Sequence, residues 1–413
     1  MAGKRDFSFV TVGQSLIKRD IRTHKDQAFW DCVNIVRAGD VSFTNLEATI
    51  KGAHGGWPTK ASYVGVAEPV VLDNLKEFGF NMLSLANNHA FDLGPPGVLS
   101  TMEETEQRGF CYAGLGRDLT HASKAGFGDL DMGRVALIAV DGGPCPPYCH
   151  AKDASEKVAS RPGLNFLKVT EEIVLHPDEY GAMRKIHDEL GHQRLWTNRR
   201  IGGPSRHGGL YDDHVDFYGV RMAKGDEHKL RGVMDPDDLT RITGSIEDAK
   251  KESDFVVVYL HHHHWEAEWA DVPDWHRDFA HACIDAGAHA YVSHGVPILL
   301  GLEIYKRSPI FYSLGNFIFH SYNPTGWFHT DAWCSVIATC NFSASGKLKK
   351  VHLDPVCIGG SAALVAEDFS YREAPHLSRD AKGIETLERY ARVSAKLGTK
   401  IEIKDAAAFV AVG

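Results

Sequence analysis

Phe255-Val-Val-Val-Tyr-Leu260 is an unbroken apolar run that ends in four consecutive histidines at positions 261–264, followed by Trp265 and Glu266. A short apolar run without polar alternation, rich in β-branched residues, is the pattern of a strand buried on both faces. Residues 275–286 then carry helical spacing, stopped by Gly287. Ala290-Tyr-Val-Ser293 reads as a second strand ending at His294-Gly295. Pro309-Ile-Phe-Tyr312 reads as a third and runs into Ser313-Leu-Gly-Asn-Phe317. Each strand stops where a His, Asn or Gly begins. Ligands of open α/β sheets bind at the carboxyl ends of strands, so this region is expected to form one wall of a metal site.

The same pattern recurs toward the N-terminus. A strand over residues 7–12 ends at Gly13-Gln14, one over 41–44 ends in Asn45-Leu46-Glu47, and one over 81–85 ends in Ala86-Asn87-Asn88-His89. Residues 134–140 form a further apolar strand. Helical spacing over 27–38, 70–78 and 96–108 separates the strands, with Gly79 and Gly109 as stops. Strands alternating with helices of this length indicate an α/β fold. Residues 141–244 differ, being rich in Gly, Pro, His and charge. A structureless loop of that length is improbable inside a domain, so a folded insertion covering the site is expected, with one or two helices in 171–190 bounded at Pro177. Asp235-Pro-Asp-Asp238 caps a helix running through 246–251. Residues 332–342 and 349–358 read as strands, and 360–413 as a C-terminal helical extension built on an amphipathic helix at 380–397. The chain is expected to be a single domain over residues 1–413.

Composition removes several function classes. The chain has 413 residues, 43% of them hydrophobic, and a net charge of −9. That charge, without a Lys/Arg block, argues against nucleic acid as a partner. The eight cysteines contain no Cys-x-x-Cys pair. Cys145 and Cys149 lie close together but lack a second pair to complete a zinc site. With no signal peptide apparent, reduced thiols in a cytoplasmic protein are expected. No run of about 18 apolar residues suggests a membrane span.

The strand ends bring together a carboxylate, an amide oxygen and imidazoles, at Glu47, Asn88 with His89, residues 261–264, and His294. This donor set suits a divalent cation such as Zn, Mn or Fe. Alternate side chains of a strand face opposite sides. His261 and His263 therefore share one face, and His262 and His264 are expected to pack on the other. Glu266 reads either as an outer-sphere partner of a histidine or as a solvated charge. Asp92 either orients His89 or caps the next turn.

Asn45-Leu-Glu47, Ala86-Asn-Asn-His89 with Asp92 and Gly94, and Tyr312-Ser-Leu-Gly-Asn-Phe317 resemble the CapA family of poly-γ-glutamate capsule-synthesis proteins. The resemblance covers about residues 7–140 and 250–320. It implies a calcineurin-like metallophosphoesterase fold, a central β-sandwich flanked by helices. Within the family the chain is similar to lasso-peptide epimerases of the MslH type, which invert the Cα of the C-terminal Trp of a ribosomal precursor peptide. The family pattern implies Glu47, Asn88, His261 and His294 as metal ligands. It implies His89 as a proton-transfer group oriented by Asp92. Two departures stand out. Gln14 follows Gly13 where the family has Asp, and Ser293-His294-Gly295-Val296-Pro297 keeps the first His of the family's last metal motif and loses the last, at position 297. Both lost residues serve the same metal, so one divalent ion (Mn, Zn, Fe or Ca) is expected in place of two, which weakens a hydrolase reading.

Inversion at a carbon needs a proton removed on one face and returned on the other, and His89 and His263 are the expected pair. Metallohydrolase chemistry and non-catalytic peptide binding are the rival readings. Cys145 and Cys149 are lesser candidates as thiol bases. Arg161 could meet a substrate carboxylate but reads more simply as a loop charge. Gly315-Asn316 reads as a tight turn. Trp57, Trp265, Trp269, Trp275 and Trp327 could line an aromatic wall or pack individually.

Overall fold

Two sheets face each other, and the alternation of the 255–260 run divides its side chains between the inside and the outside of that pair. The computed structural model describes residues 5–61, 64–191, 194, 214–217, 219–321, 330–362 and 374–412. The first sheet runs in the order Glu402–Lys404, Ala407–Ala411, Leu348–Ile358, Cys334–Phe342, Phe7–Thr11, Val41–Asn45, Met82–Ser84, Cys111–Ala113, with Pro375–Leu377 also on Leu348–Ile358. The second runs Leu302–Tyr305, Ser308–Phe311, Ala290–His294, Phe255–His262, Gly133–Gly143, Gly126–Leu130.

Phe255, Val257 and Tyr259 point inward, where they meet Phe9, Phe43 and Met82 of the first sheet in a shared core. Val256, Val258 and Leu260 point outward against Ile242 and Ile246 of the helix Pro236–Glu252 and Phe279 and Cys283 of the helix Asp274–Asp285. The outer face of the first sheet is covered by Gln27–Arg37, Val70–Glu77 and Gly94–Gln107. The result is four layers, helix, sheet, sheet, helix, which is the sandwich flanked by helices that the sequence implies. Each large apolar side chain buried this way contributes about 1.5–3 kcal/mol. That is why the 255–260 run has no polar position: both of its faces are interior.

Within the first sheet Phe7–Thr11, Val41–Asn45 and Met82–Ser84 are parallel neighbours. Within the second, Gly133–Gly143, Phe255–His262 and Ala290–His294 are parallel neighbours. Parallel pairing delivers the carboxyl ends of neighbouring strands to one edge, and this places residues 13–14, 45–47 and 87–89 with Asp141, His261 and His294.

The 141–244 stretch contains a separate four-stranded sheet, ordered His214–Phe217, Val220–Lys224, Val169–Leu175, Lys229–Met234. Residues 171–175 are therefore strand, not helix. The side chains of Val169–Leu175 alternate in burial, and its Glu172 is buried between Arg221 and Arg231. Helix begins only at Pro177–Glu189, where Pro177 sets the first turn. Residues 201–209 and Trp327 lie outside the described residues. The helix Pro236–Glu252 begins inside the 141–244 stretch, capped by the Asp235 side chain, and belongs to the outer layer of the second sheet. Residues 360–413 contain the helix Ala381–Lys396, but they also supply strands to the first sheet. No helix among the described residues is long and apolar enough to cross a membrane.

Candidate metal centre

The strand Phe255–His262 carries its alternation past Leu260 into the histidines. His261 is fully buried on the inner side, and its partners in register are Asp141 on one neighbouring strand and His294 on the other. His261 Nε2 lies 3.2 Å from His263 Nε2 and 3.9 Å from Glu47 Oε1. Glu47, His261 and His263 each offer a ligand atom, all within 4.8 Å of one another. Two nitrogens bound at about 2.0–2.1 Å to one tetrahedral ion lie about 3.3 Å apart, so the two imidazoles are spaced for a shared cation.

Tautomer logic adds His294. Its Nε2 is 3.0 Å from the Val12 carbonyl, an acceptor, so Nε2 carries the proton and Nδ1 the lone pair. That Nδ1 is buried without a partner. A histidine anchored through one nitrogen by a backbone carbonyl and open at the other is the usual arrangement of a metal ligand. The same condition holds for Glu47 Oε2, Asn88 Oδ1, Gln14 Oε1 and both oxygens of Asp141. A buried polar atom without a partner costs about 1–3 kcal/mol. An accumulation of unpaired Lewis bases at adjoining strand ends is the donor set that a divalent cation satisfies. The residues present therefore fit a metal ion.

Electrostatics act in the same sense. Burial lowers His261 and His294, the latter to about 3, and lowers His263 to about 4. Neighbouring imidazoles add to this at His261. All three are held neutral with lone pairs available. Burial pushes Glu47 up to about 8, with Lys60 opposing the rise, and pushes Asp141 up to about 7. Ligation by these carboxyls near neutral pH is therefore coupled to proton release.

Beside the cluster, His89 Nδ1 lies 2.7 Å from Asp92 Oδ2, which also accepts from the Gly65 amide at 2.6 Å. Lys60 Nζ is 2.8 Å from Asp92 Oδ1 and donates to the Asn88 carbonyl at 2.6 Å. Burial would raise Asp92, but the His89 and Lys60 bonds outweigh it and hold the carboxyl below its usual range. Asp92 is thus hydrogen-bonded to the His89 ring as well as standing before the next turn. Gly65 lies flat on the His89 ring: a Cβ there would sit 2.7 Å from His89 Cγ.

Gln14 presents an anchored amide at the first strand end. Its Nε2 donates to Asn316 Oδ1 at 3.0 Å, which leaves Oε1 unpaired. Asn316 in turn donates to the Ala332 carbonyl at 3.0 Å. Its side chain is thus a tie between distant segments, beyond the role of its turn. Gly13 packs directly on this turn, where a Cβ would be 2.5 Å from the Asn316 carbonyl carbon.

The even positions of the run behave differently. The His264 amide donates to His262 Nδ1 at 3.3 Å, so His262 Nε2 bears the proton and donates to His276 Nδ1 at 3.0 Å. His276 Nε2 then donates to the Tyr291 hydroxyl at 2.9 Å. His264 contacts Glu171 Oε1 at 2.7 Å and the Gly142 carbonyl at 3.0 Å. The carboxylate that meets His264 is therefore Glu171, from the separate four-stranded sheet. Glu266 instead sits among acids, its carboxyl raised by burial and by Asp274 and Asp271.

Arg161 is occupied by the carbonyls of His150 and Pro147. Cys145 is pushed up by its bond to Cys149 and by burial, so the thiolate is disfavoured. Trp275 packs in the outer core, while Trp57, Trp265 and Trp269 are exposed. Sequence reasoning missed Lys60 and Asp141. Asp141 follows an apolar strand by the rule that found the others. Lys60 sits in a Gly-rich and Pro-rich loop with no periodic signal.

The family described as bacterial capsule synthesis protein PGA_cap matches residues 8–321. The protein y4sH of Sinorhizobium fredii is 31% identical over 97% of this chain and 92% of its own length. Capsule biosynthesis protein CapA of Bacillus anthracis is 25% identical over 62% of this chain and 43% of that protein. PGA biosynthesis protein CapA of Bacillus subtilis is 43% identical over 24% of each.

Proposed function

The chain belongs to the bacterial capsule synthesis protein PGA_cap family, and from that premise we propose that it is a metal-dependent peptide epimerase on a calcineurin-like metallophosphoesterase scaffold. Its proposed substrate is a ribosomal precursor peptide of the lasso class, inverted at the Cα of its C-terminal Trp as in the MslH type. The setting that goes with this reading is cytoplasmic.

The observation that carries the reading is one edge holding both a cation-binding donor set and a separate His–Asp pair. Glu47 and His261 would hold the ion, with the buried and unpartnered His294 Nδ1 and Asn88 Oδ1 as further ligands. A bound divalent cation supplies Lewis-acid polarisation of a carbonyl oxygen, which acidifies the adjacent C–H. His89 takes or returns that proton at Nε2, because Asp92 fixes the other proton on Nδ1. His89 follows a first-sheet strand and His263 a second-sheet strand, and their origin on different sheets supports assigning them to the two faces of the carbon. His263 Nε2 is also at ligand spacing from His261. Metal content of His263→Ala decides between the two roles: retained metal with lost inversion assigns proton transfer, and lost metal assigns ligation.

A hydrolase reading has one specific observation in its favour. Gln14 Oε1 and Asp141 add unpaired acceptors beyond those one ion needs, and two ions together favour ester hydrolysis. The deciding experiment is incubation of the metal-loaded protein with a candidate precursor peptide in deuterated water, followed by chiral analysis. Epimerisation puts deuterium at the inverted Cα. Release of phosphate from simple esters without any deuterium in peptide would establish the hydrolase instead.

A further inference from the structure

Just past the histidine run, Trp265-Glu-Ala-Glu-Trp269 opens the connection to the helix Asp274–Asp285. This connection is fixed at several points. The Asp271 amide donates to the Glu268 carbonyl at 2.8 Å, and the Asp271 carboxylate meets Lys396 Nζ at 2.5 Å. Ala270 packs against the inner core and Val272 against the outer one. Trp275 closes the segment by standing edge-on to the rings of His262 and His264, at 5.1 and 5.5 Å between centroids. Trp265 and Trp269 are nonetheless left 37% and 38% exposed, in contact with each other at 4.7 Å between ring centroids. Two large rings held side by side in water, within an otherwise anchored segment, mark a surface that suits another apolar group.

The pair also adjoins the metal centre. The ring of His263 is 6.1 Å from that of Trp265, and the ring of His261 is 5.0 Å from that of His263. Exposure falls along this row, from the two tryptophans through half-buried His263 to fully buried His261. The row is a wall that leads from solvent to the donor cluster. Glu266, Glu268 and Asp274 flank the rings in sequence, and residues 265–274 contain no Lys or Arg. That charge disfavours a phosphate-bearing or other anionic occupant. We propose that Trp265 and Trp269 form a subsite for an uncharged aromatic side chain of the substrate peptide, carried by the residue whose Cα meets His263. An aromatic ring offers both apolar area and the edge-to-face geometry that ring pairs favour. The subsite deepens the epimerase reading, and rests on it for which residue of the peptide carries the ring.

The test is calorimetric titration of the metal-loaded full chain with short peptides that differ only in the last residue, Trp, Ala or Lys, and with adenosine monophosphate. The wild type should bind the Trp peptide at least about tenfold tighter than the Ala peptide. Trp265→Leu and Trp269→Leu should each bring that ratio below about threefold with metal content unchanged. Trp57→Leu, which removes an exposed ring of another loop, should keep it. Because both rings of the pair are partly exposed, neither variant opens a cavity in the core. A ratio untouched by Trp265→Leu and Trp269→Leu overturns the proposal. So does a Lys peptide bound more tightly than the Trp peptide, which would assign the acids and not the rings. Adenosine monophosphate binding that is lost in the same two variants would give the rings to a nucleotide base and overturn it too. Deuterium exchange at equal kcat/KM in the Trp and Ala peptides would sink the subsite while the epimerase stands. A Trp preference that depends on both rings, without any exchange, would keep the subsite and sink the epimerase.

Discussion

Four identical side chains in a row, His261 to His264, form two different devices. The odd pair faces Glu47 across the interior with its Nε2 atoms 3.2 Å apart, and the lone pairs of neighbouring groups such as His294 Nδ1 and Glu47 Oε2 are left unpaired. The even pair faces the outer layer and is closed by a chain of hydrogen bonds through His276 to Tyr291, and by Glu171 and the Gly142 carbonyl. Residue type does not distinguish them. The supply of partners on each face does. An unsatisfied set of bases invites a cation, whereas a satisfied set rigidifies the wall behind it.

That contrast can be broken most forcefully from the inner side. Glu47→Ala removes the carboxylate of the cluster, and bound metal and turnover should fall together by at least about a hundredfold, read by elemental analysis and deuterium exchange. Equal metal content in the variant would dissolve the distinction between the faces. His89→Ala should leave the metal in place and reduce exchange by about a hundred- to ten-thousand-fold.

The pH dependence of the chelated protein gives a smaller effect of defined sign. The folded state raises Glu47 from 4.5 to about 8 and Asp141 from 3.8 to about 7. Above the unfolded values and below the folded ones, the native state holds protons that the unfolded chain has released. Stability from these two groups is therefore complete below the unfolded values and is lost as pH rises through the folded ones. The inner histidines, lowered by burial, act the other way: their contribution is present above about 6.5 and is lost in acid. The clean window is pH 6.5 to 8. There the chelated protein should lose on the order of a few kcal/mol in denaturant titrations, and reloading with metal should abolish or reverse the trend.

The smallest effect belongs to the outer face. His276→Phe leaves His262 Nε2–H and the Tyr291 hydroxyl without their partner, at about 1–3 kcal/mol for each. A lowered Tm with unchanged metal content is expected. Loss of metal from this variant would mean that the two faces are one coupled network.

The strands of the sandwich were readable because runs such as 255–260 and 134–140 have no polar interruption, and only a strand buried on both faces tolerates that. Glu47, Asn88, His261 and His294 stood out as donor residues at or just past strand ends, while their assignment as one ligand set came from the family resemblance and not from the local pattern. Residues 171–175 misled because Glu171 and Glu172 mimic the acidic start of a helix. In the folded chain one meets His264 and the other two arginines, partners 49 or more residues away in sequence that no local pattern contains. The strands of the C-terminal region escaped notice for a related reason: Ala407–Ala411 is short and becomes a strand by pairing with Leu348–Ile358. Lys60 was hidden because a loop residue acquires its position from what it touches.

The Gln14–Asn316 bond and the contact of Gly13 on the same turn join positions about 300 residues apart, and this sets a timetable. During synthesis the chain emerges at about 5–20 residues per second, so the first strand waits some tens of seconds for the segment that anchors its end. Glu47 and Asn88 are made early, His261 and His294 late, and Asn316 later still. The donor cluster is therefore complete only at the end of folding. A ribosome-bound chain halted before the Phe255–His262 strand should take up no divalent ion at this edge, so metal uptake by the released chain would report that assembly is complete.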